Sequence, residues 1–371
     1  MDVISLTRKL LSFNTINPPG NESEIALFLG NLLSANGFNV SYPLFRKNRL
    51  NLIAEKGLLP QRPPIVLSGH FDTVPLGKKP WNVDPFAGEI SDGRIWGRGS
   101  SDMKGGLAAM VMASVDAFRE AAPYGGIRII FTAAEEPGCL GVSKLAGSET
   151  LSAGATAVIV GEPTASLPAT AHKGAIYLRA VTSGKTAHSS MPELGINAIY
   201  KAAEAITKIR DFKFEGEMDP LLGYTTINVG RIKGGKNINS VPDHAEFTID
   251  LRTTTGVDHK DILVRLNGEL GDDIRIKNLV DLKPVFTPET DPFVRLVYDV
   301  CGVSGTTPGF PKALSYMTDG AVLQEYYGGA PTVILGPGEP EMAHQTDEYC
   351  EISKLERSVD LYKRIILRWG K

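Results

Sequence analysis

The sequence predicts an α/β fold with a mixed, mainly parallel sheet, interrupted by a smaller α+β insertion. Three observations carry this. Short unbroken apolar runs at Ile65–Leu67, Ile129–Phe131 and Val158–Val160 lack the alternation of a half-exposed strand and read as strands buried on both faces. Between residues 173 and 284 the pattern changes to strand, helix, strand, strand, helix, strand, the ferredoxin-like order. After residue 285 the first pattern returns, so 1–172 and 285–371 are read as one domain and 173–284 as a second set into it. A length of 371 residues exceeds what a single core comfortably supports.

Each element has its own signal. Val3, Ile4, Leu6, Leu10 and Leu11 recur at helical spacing up to Phe13, and Asn17-Pro18-Pro19-Gly20 breaks that helix. A second helix carries Ile25, Phe28, Leu29, Leu32 and Leu33 on one face and stops at Gly37. Strands at Asn39–Tyr42 and Asn51–Ala54 lead to the run from Pro64, which ends in Ser68-Gly69. Phe86–Ile90 and Gly93–Trp96 read as a hairpin, Lys104–Phe118 as a helix rich in small residues, and Ile127–Thr132 and Ala157–Val160 as buried strands. In the insertion, strands are expected at Ile176–Thr182, Thr225–Ile232, Ala245–Leu251 and Ile274–Leu279, with helices at Ile196–Ile209 and Asp258–Leu270. A helix Phe293–Gly302, a strand Thr332–Leu335 and a helix from Ser353 to Trp369 complete the larger domain.

Composition narrows the function. Lys+Arg 39 against Asp+Glu 42, with no basic block, argues against nucleic acid as a partner. Cys139, Cys301 and Cys350 are scattered and odd in number, which points to a reducing compartment and to no thiolate zinc site of the Cys-x-x-Cys kind. No apolar run approaches membrane-spanning length and the start has no basic segment, so a cytoplasmic chain without a membrane partner is expected.

Chemistry gathers at the ends of the predicted strands, where ligands of open α/β sheets bind. His70 and Asp72 follow the first buried run, an imidazole able to bind a metal and a carboxylate able to orient it. Asp102 stands just before a helix. Glu135 and Glu136 are adjacent carboxylates after a strand, which repel each other unless a cation lies between them. Glu162 follows the next strand, and His344 lies in the loop after the last. Taken singly, each is a cap, a solvated loop residue or a surface charge. Together, two imidazoles and three carboxylates form an N/O ligand set without sulfur, suited to hydrolytic zinc. One carboxylate can bridge two metals while each also takes one histidine and one carboxylate. Asp72 is then left to orient a ligand, and Glu135 to act as general base.

Five segments carry a family resemblance: Ser68-Gly69-His70-Phe71-Asp72-Thr73-Val74, Gly97–Gly106, Ala134-Glu135-Glu136, Gly161-Glu162-Pro163 and Ala343-His344-Gln345-Thr346-Asp347-Glu348. The chain resembles the co-catalytic zinc aminoacylases and exopeptidases, among them acetylornithine deacetylase, succinyl-diaminopimelate desuccinylase, aminoacylase and carboxypeptidase G. The resemblance implies a zinc-exopeptidase-like catalytic domain and two Zn2+ per chain, with Co2+ or Mn2+ also accepted. It assigns His70 and Glu162 to one ion, Glu136 and His344 to the other, and Asp102 as the bridge. It makes Glu135 the general acid/base and Asp72 the support of His70. The substrate it implies is an N-acyl amino acid, or alternatively a short peptide. A non-catalytic amino-acid binder on this fold would have been indicated by loss of Glu135 or of a ligand, and all are present.

The insertion resembles the lid and dimerisation domain of that family through Ser183-Gly184-Lys185-Thr186-Ala187-His188-Ser189-Ser190-Met191-Pro192. This implies a homodimer in which His188 reaches the partner's active site as an oxyanion donor. Asn239 and Arg252 resemble residues that hold a substrate carboxylate. In Phe247-Thr248-Ile249-Asp250-Leu251-Arg252 the apolar residues share one face, leaving Arg252 on the other with Thr248 and Asp250, and Asn239 is expected to converge with it. His172, His244 and His259 read as structural. One departure stands out: Tyr316 and Met317, ahead of Thr318-Asp319-Gly320, are bulkier than the small residues of bacterial desuccinylases.

Overall fold

The computed structural model describes residues 1–148, 150–152, 154–304, 307, 310 and 312–369. The chain divides into two compact units, Met1–Ala171 with Val285–Leu314 and Thr318–Lys371, and His172–Pro284 with Ser315–Met317.

In the larger unit a six-stranded sheet runs in the order Asn39–Ser41, Leu52–Lys56, Ile127–Thr132, Ile65–His70, Ala157–Val160, Thr332–Ile334. The first two pairings are antiparallel and the remaining three parallel, so the sheet is mixed and mainly parallel. Strand periodicity explains why the apolar runs are continuous. Leu67, Ile129, Phe131, Ile159 and Val333 pack into one core with helices Val3–Leu11, Ser23–Ala35, Gly105–Glu120, Pro292–Cys301 and Ile352–Arg368. Their neighbours Val66, Ile130, Val158 and Ile334 are equally buried but lie outside that core, on the other face. Two seven-residue helices, Leu140–Ala146 and Gly320–Tyr326, carry no clear sequence signal, because two turns are too few for apolar periodicity to show. The three-residue strand Tyr349–Glu351 is likewise too short to show a pattern; it joins the predicted hairpin by pairing with Arg94–Trp96.

The smaller unit is a four-stranded antiparallel sheet in the order Thr226–Gly234, His244–Thr253, Gly174–Ser183, Ile274–Leu282. Its first and third strands lie side by side at the centre, as the ferredoxin-like order requires. Helices Ala198–Asp211 and His259–Leu270 contribute to its core with Phe247, Ile249 and Leu251. Among the described residues no helix is long and apolar enough to cross a membrane.

Candidate metal centre

Three parallel neighbours deliver most of the site from their carboxyl ends. His70 is the last residue of Ile65–His70 and pairs in register with Thr132. Glu135 and Glu136 follow the strand that ends at Thr132, after Ala134 turns the chain through the left-handed region at φ 58°. Glu162 lies just past Ala157–Val160. Asp102 comes from the irregular turn Ser100–Lys104 ahead of the helix Gly105–Glu120. That helix can approach because residue 106 is glycine: a Cβ there would lie 2.3 Å from the Gly161 carbonyl oxygen. His344 completes the set from a loop, again with positive φ, 66°.

The five side chains form two triads that share Asp102. His70 Nε2 lies 3.2 Å from Asp102 Oδ1 and 3.5 Å from Glu162 Oε1. His344 Nε2 lies 3.1 Å from Glu136 Oε2 and 3.4 Å from Asp102 Oδ2. Donors about 2.0–2.1 Å from one tetrahedral ion stand roughly 3.3–3.4 Å apart, so each separation has the length of an edge of such a polyhedron. Glu136 Oε1 is buried without a hydrogen-bond partner, a further lone-pair donor with nothing yet to bind.

Electrostatics make the same demand. Burial pushes Glu162 up to about 8, although His70 pulls it down. Burial, then the Asp102 charge, raises Glu136. Burial would also raise Asp102, but bonds from His344 and His70 hold it well below the ordinary carboxylate range. His344 is lifted to about 10 by its bonds to Asp102 and Glu136. Burial opposes the charged form of His70, yet the Glu162 charge and the bonds to Asp102 and Glu162 hold it well above its ordinary value. Without a cation, the two imidazoles are the positive partners that face the clustered carboxyls. A divalent cation in each triad would take that part and release the protons. The residues fit two metal ions.

Asp72 and Glu135 stand beside the triads. The Asp72 main-chain carbonyl lies 2.9 Å from His70 Nδ1, while its carboxylate is 3.7 Å away. That carboxylate is engaged elsewhere: Oδ1 accepts from the Glu135 N–H at 3.0 Å and Oδ2 from Asn17 Nδ2 at 2.8 Å. The carbonyl is the nearer Asp72 contact of the imidazole, and the carboxylate stands beyond it at ion-pair distance. Two N–H donors hold it, and the carbonyl meets the imidazole. Glu135 belongs to neither triad, and its carboxyl is raised well above the usual range by burial, against His70 and with Glu162 and Asp319.

Two supporting residues escaped the sequence reading. Glu348 is fully buried; its Oε2 accepts from Arg98 Nη1 at 2.6 Å and Gly99 N at 2.9 Å, its Oε1 from Ser101 N at 2.8 Å and Asp102 N at 2.9 Å. It pins the turn that carries Asp102. Its signal was its place at the end of the His344 segment. Asn17 carries no sequence signal beyond its place in a helix-breaking run.

His188, Asn239 and Arg252 all lie in the smaller unit. His188 is exposed, its Nδ1 lies 2.7 Å from Ser190 Oγ, and its loop pairs with the Asn239 connection through Ser189 N to Asn239 O at 3.1 Å. Arg252 is half-buried, donates to Tyr177 Oη at 2.7 Å and pairs with Asp250 Oδ1 at 2.9 Å. The expected convergence of Asn239 with Arg252 does not occur within one chain. His244–Thr253 is a ten-residue strand with Asn239 before its start and Arg252 near its end, and at ~3.3 Å per residue about 26 Å separate His244 from Arg252.

Fold and site together define an α/β exopeptidase-like fold carrying two candidate metal-ligand triads. The chain belongs to peptidase family M20/M25/M40, whose sequence profile matches residues 66–368. It is 29% identical to a "Probable succinyl-diaminopimelate desuccinylase" of Staphylococcus epidermidis, covering 98% of this chain and 96% of the relative. It is 30% identical to an acetylornithine deacetylase of Vibrio cholerae, covering 94% and 92%. In fold it is similar to an M20 family metallo-carboxypeptidase from Sulfolobus solfataricus, with a TM-score of 0.79, 19% identity and 99% of each chain covered.

Proposed function

We propose that this chain is a two-metal amidohydrolase that removes the acyl group from the nitrogen of an amino acid, acting as the acetylornithine deacetylases and succinyl-diaminopimelate desuccinylases do. The observation that carries the reading is the division of Asp102 between two triads, one oxygen to each, with Glu135 beside them and outside both. His70 and Glu162 would hold one ion, Glu136 and His344 the other, zinc being the metal the donor set suits best and cobalt or manganese acceptable. The chemistry such a pair supplies is polarisation of the scissile carbonyl and a lowered pKa for the attacking water.

The rest falls to this chain's own side chains. Glu135 takes a proton from the attacking water and delivers it to the leaving amine, a task suited to a buried carboxyl with a raised pKa. Asp72, by accepting the Glu135 N–H, fixes where that carboxyl starts. Arg252 grips the substrate carboxylate through its planar fork, exchanging its bond to Asp250 for one to the ligand.

A homodimer through the smaller unit is part of the proposal. Among the described residues its edge strand Thr226–Gly234 is unpaired on one side, and Met191, Leu194, Ile196, Tyr200, Ile232 and Ile238 are exposed large apolar residues of the same unit. Open edges and apolar patches of this kind are what a second copy covers. His188 and Asn239, joined in one loop pair, would then serve the partner's centre as oxyanion and carboxylate donors.

The same centre would also serve a carboxypeptidase or dipeptidase acting on short peptides. Bulky Tyr316 and Met317 before Thr318-Asp319-Gly320 favour keeping that second reading beside the first. The test is hydrolysis by the metal-loaded chain of N-acetylornithine, N-succinyl-diaminopimelate, other N-acyl amino acids and dipeptides. Chelation should abolish the activity and about two zinc or cobalt ions per chain should restore it. Full turnover without metal would overturn the proposal, and a preference for dipeptides would replace its first form by the second.

A further inference from the structure

A second set of donors lies in the larger unit, apart from the two triads. The turn carrying Glu135 runs on into Cys139, and Asp319 stands at the head of the helix Gly320–Tyr326. Cys139 Sγ, one carboxylate oxygen of Glu135 and one of Asp319 all lie within 4.8 Å of one another. Cys139, Glu135 and Asp319 are 0%, 6% and 1% exposed. Asp319 Oδ2 accepts from Thr132 Oγ1, but its Oδ1 is buried and has no hydrogen-bond partner. Among the described residues, no Lys, Arg or His forms an ion pair with Glu135 or Asp319. The positive charge that acts on both carboxyls is that of His70, which makes its own contacts in the first triad, and the orphaned, buried Asp319 oxygen calls for a partner.

We propose that Glu135, Cys139 and Asp319 form a third cation site, specific for thiophilic divalent ions such as cadmium or surplus zinc, and that filling it inactivates the enzyme by engaging Glu135. A sulfur about 2.3 Å and an oxygen about 2.0 Å from a tetrahedral ion stand roughly 3.5 Å apart, and Cys139 Sγ lies 3.4 Å from Glu135 Oε1. The thiol sets this site apart from the triads, which hold no sulfur, and gives it preference for softer ions. The ion replaces the Cys139 thiol proton, which leaves to solvent; no electron is transferred. The inactivation rests on the role proposed for Glu135, whereas the binding does not.

The test starts from the chain loaded with two zinc ions and titrates it with cadmium. Bound cadmium, the ultraviolet charge-transfer band of a cadmium–thiolate, and hydrolysis of the best substrate are followed together. The band should grow with one additional bound ion as activity falls. Cys139→Ser should lose the band, keep two zinc ions and hydrolysis, and need about 100-fold more cadmium for inhibition. Asp319→Asn should weaken the third ion while leaving the thiol in place. A band that persists in Cys139→Ser would come from Cys301 or Cys350 and overturn the proposal, as would an Asp319→Asn chain that binds the third ion as tightly as wild type. A band in a chain that hydrolyses nothing would uphold the site and sink the proposed function. Hydrolysis with no band at any cadmium level would do the reverse.

Discussion

Replacing Glu348 by glutamine changes one oxygen for an amide nitrogen, yet the consequence should be large. Each oxygen of this fully buried carboxylate accepts two N–H groups, Arg98 Nη1 and Gly99 N on one side, Ser101 N and Asp102 N on the other. Whichever way the glutamine amide points, its NH2 group faces two donors instead of accepting from them. Losing one partner of a buried ion pair costs about 3–5 kcal/mol, and each N–H left without an acceptor about 1–3 kcal/mol, overlapping terms that set a loss of at least about 3 kcal/mol. Against a typical total of roughly 5–15 kcal/mol this is a substantial fraction. Burial pushes the Glu348 carboxyl up to about 7 against the pull of Arg98, so the comparison belongs at pH 8, where the wild-type group is ionised. Urea unfolding of the metal-free chains should show the midpoint of Glu348→Gln far below wild type. Because the loosened turn carries Asp102, metal affinity measured by competition with a chelating dye should also drop about 10- to 100-fold. Equal midpoints and equal metal affinity would show that the Glu348 contacts neither stabilise the chain nor place Asp102.

The remaining predictions concern proton transfer, the partner subunit, the substrate carboxylate and pH. Glu135→Gln should keep both metal ions and lose about 10² to 10⁴ in turnover; loss of metal with the rate preserved in the loaded fraction would make Glu135 a ligand. Mixed dimers of His188→Ala and Glu135→Gln chains should regain part of the activity both parents lack, and no recovery after verified chain exchange would rule out action across the dimer. Arg252→Ala should lower kcat/KM about 10- to 100-fold for a substrate with a free carboxylate but not for its ester or amide, with little rescue by Arg252→Lys; an undiminished preference for the carboxylate would make Arg252 a surface residue. His172 is fully buried, and burial pushes it down to about 4 from 6.5. The folded state therefore resists the proton that the unfolded chain takes up below pH 6.5, and stability should fall as pH drops from 6.5 towards 4, by up to about 3 kcal/mol at ~1.4 kcal/mol per pH unit. Metal-free His172→Gln should show a flatter urea midpoint over that range, and a slope equal to wild type would refute the argument.

The sequence by itself determined the longer elements and the donor types. Apolar runs at Ile65–Leu67, Ile129–Phe131 and Ala157–Val160 mark the strands Ile65–His70, Ile127–Thr132 and Ala157–Val160 because a strand covered on both faces needs apolar residues on both. Alternation likewise placed Arg252 opposite Phe247, Ile249 and Leu251, and the burial of that strand follows the alternation. The candidate ligands were legible because strand ends are where a parallel sheet presents polar groups. Only the tertiary structure decided how those groups are shared. That Asp102 divides its oxygens between His70 and His344, that the Asp72 carboxylate turns to Asn17 and Glu135, and that Glu348 clamps the Asp102 turn all depend on contacts between residues 32 to 246 positions apart. Spacing along a chain does not encode such contacts. The separation of Asn239 from Arg252 is of the same kind: it follows from the length and direction of one ten-residue strand, and a strand end is fixed by the register of its neighbours rather than by its own residues.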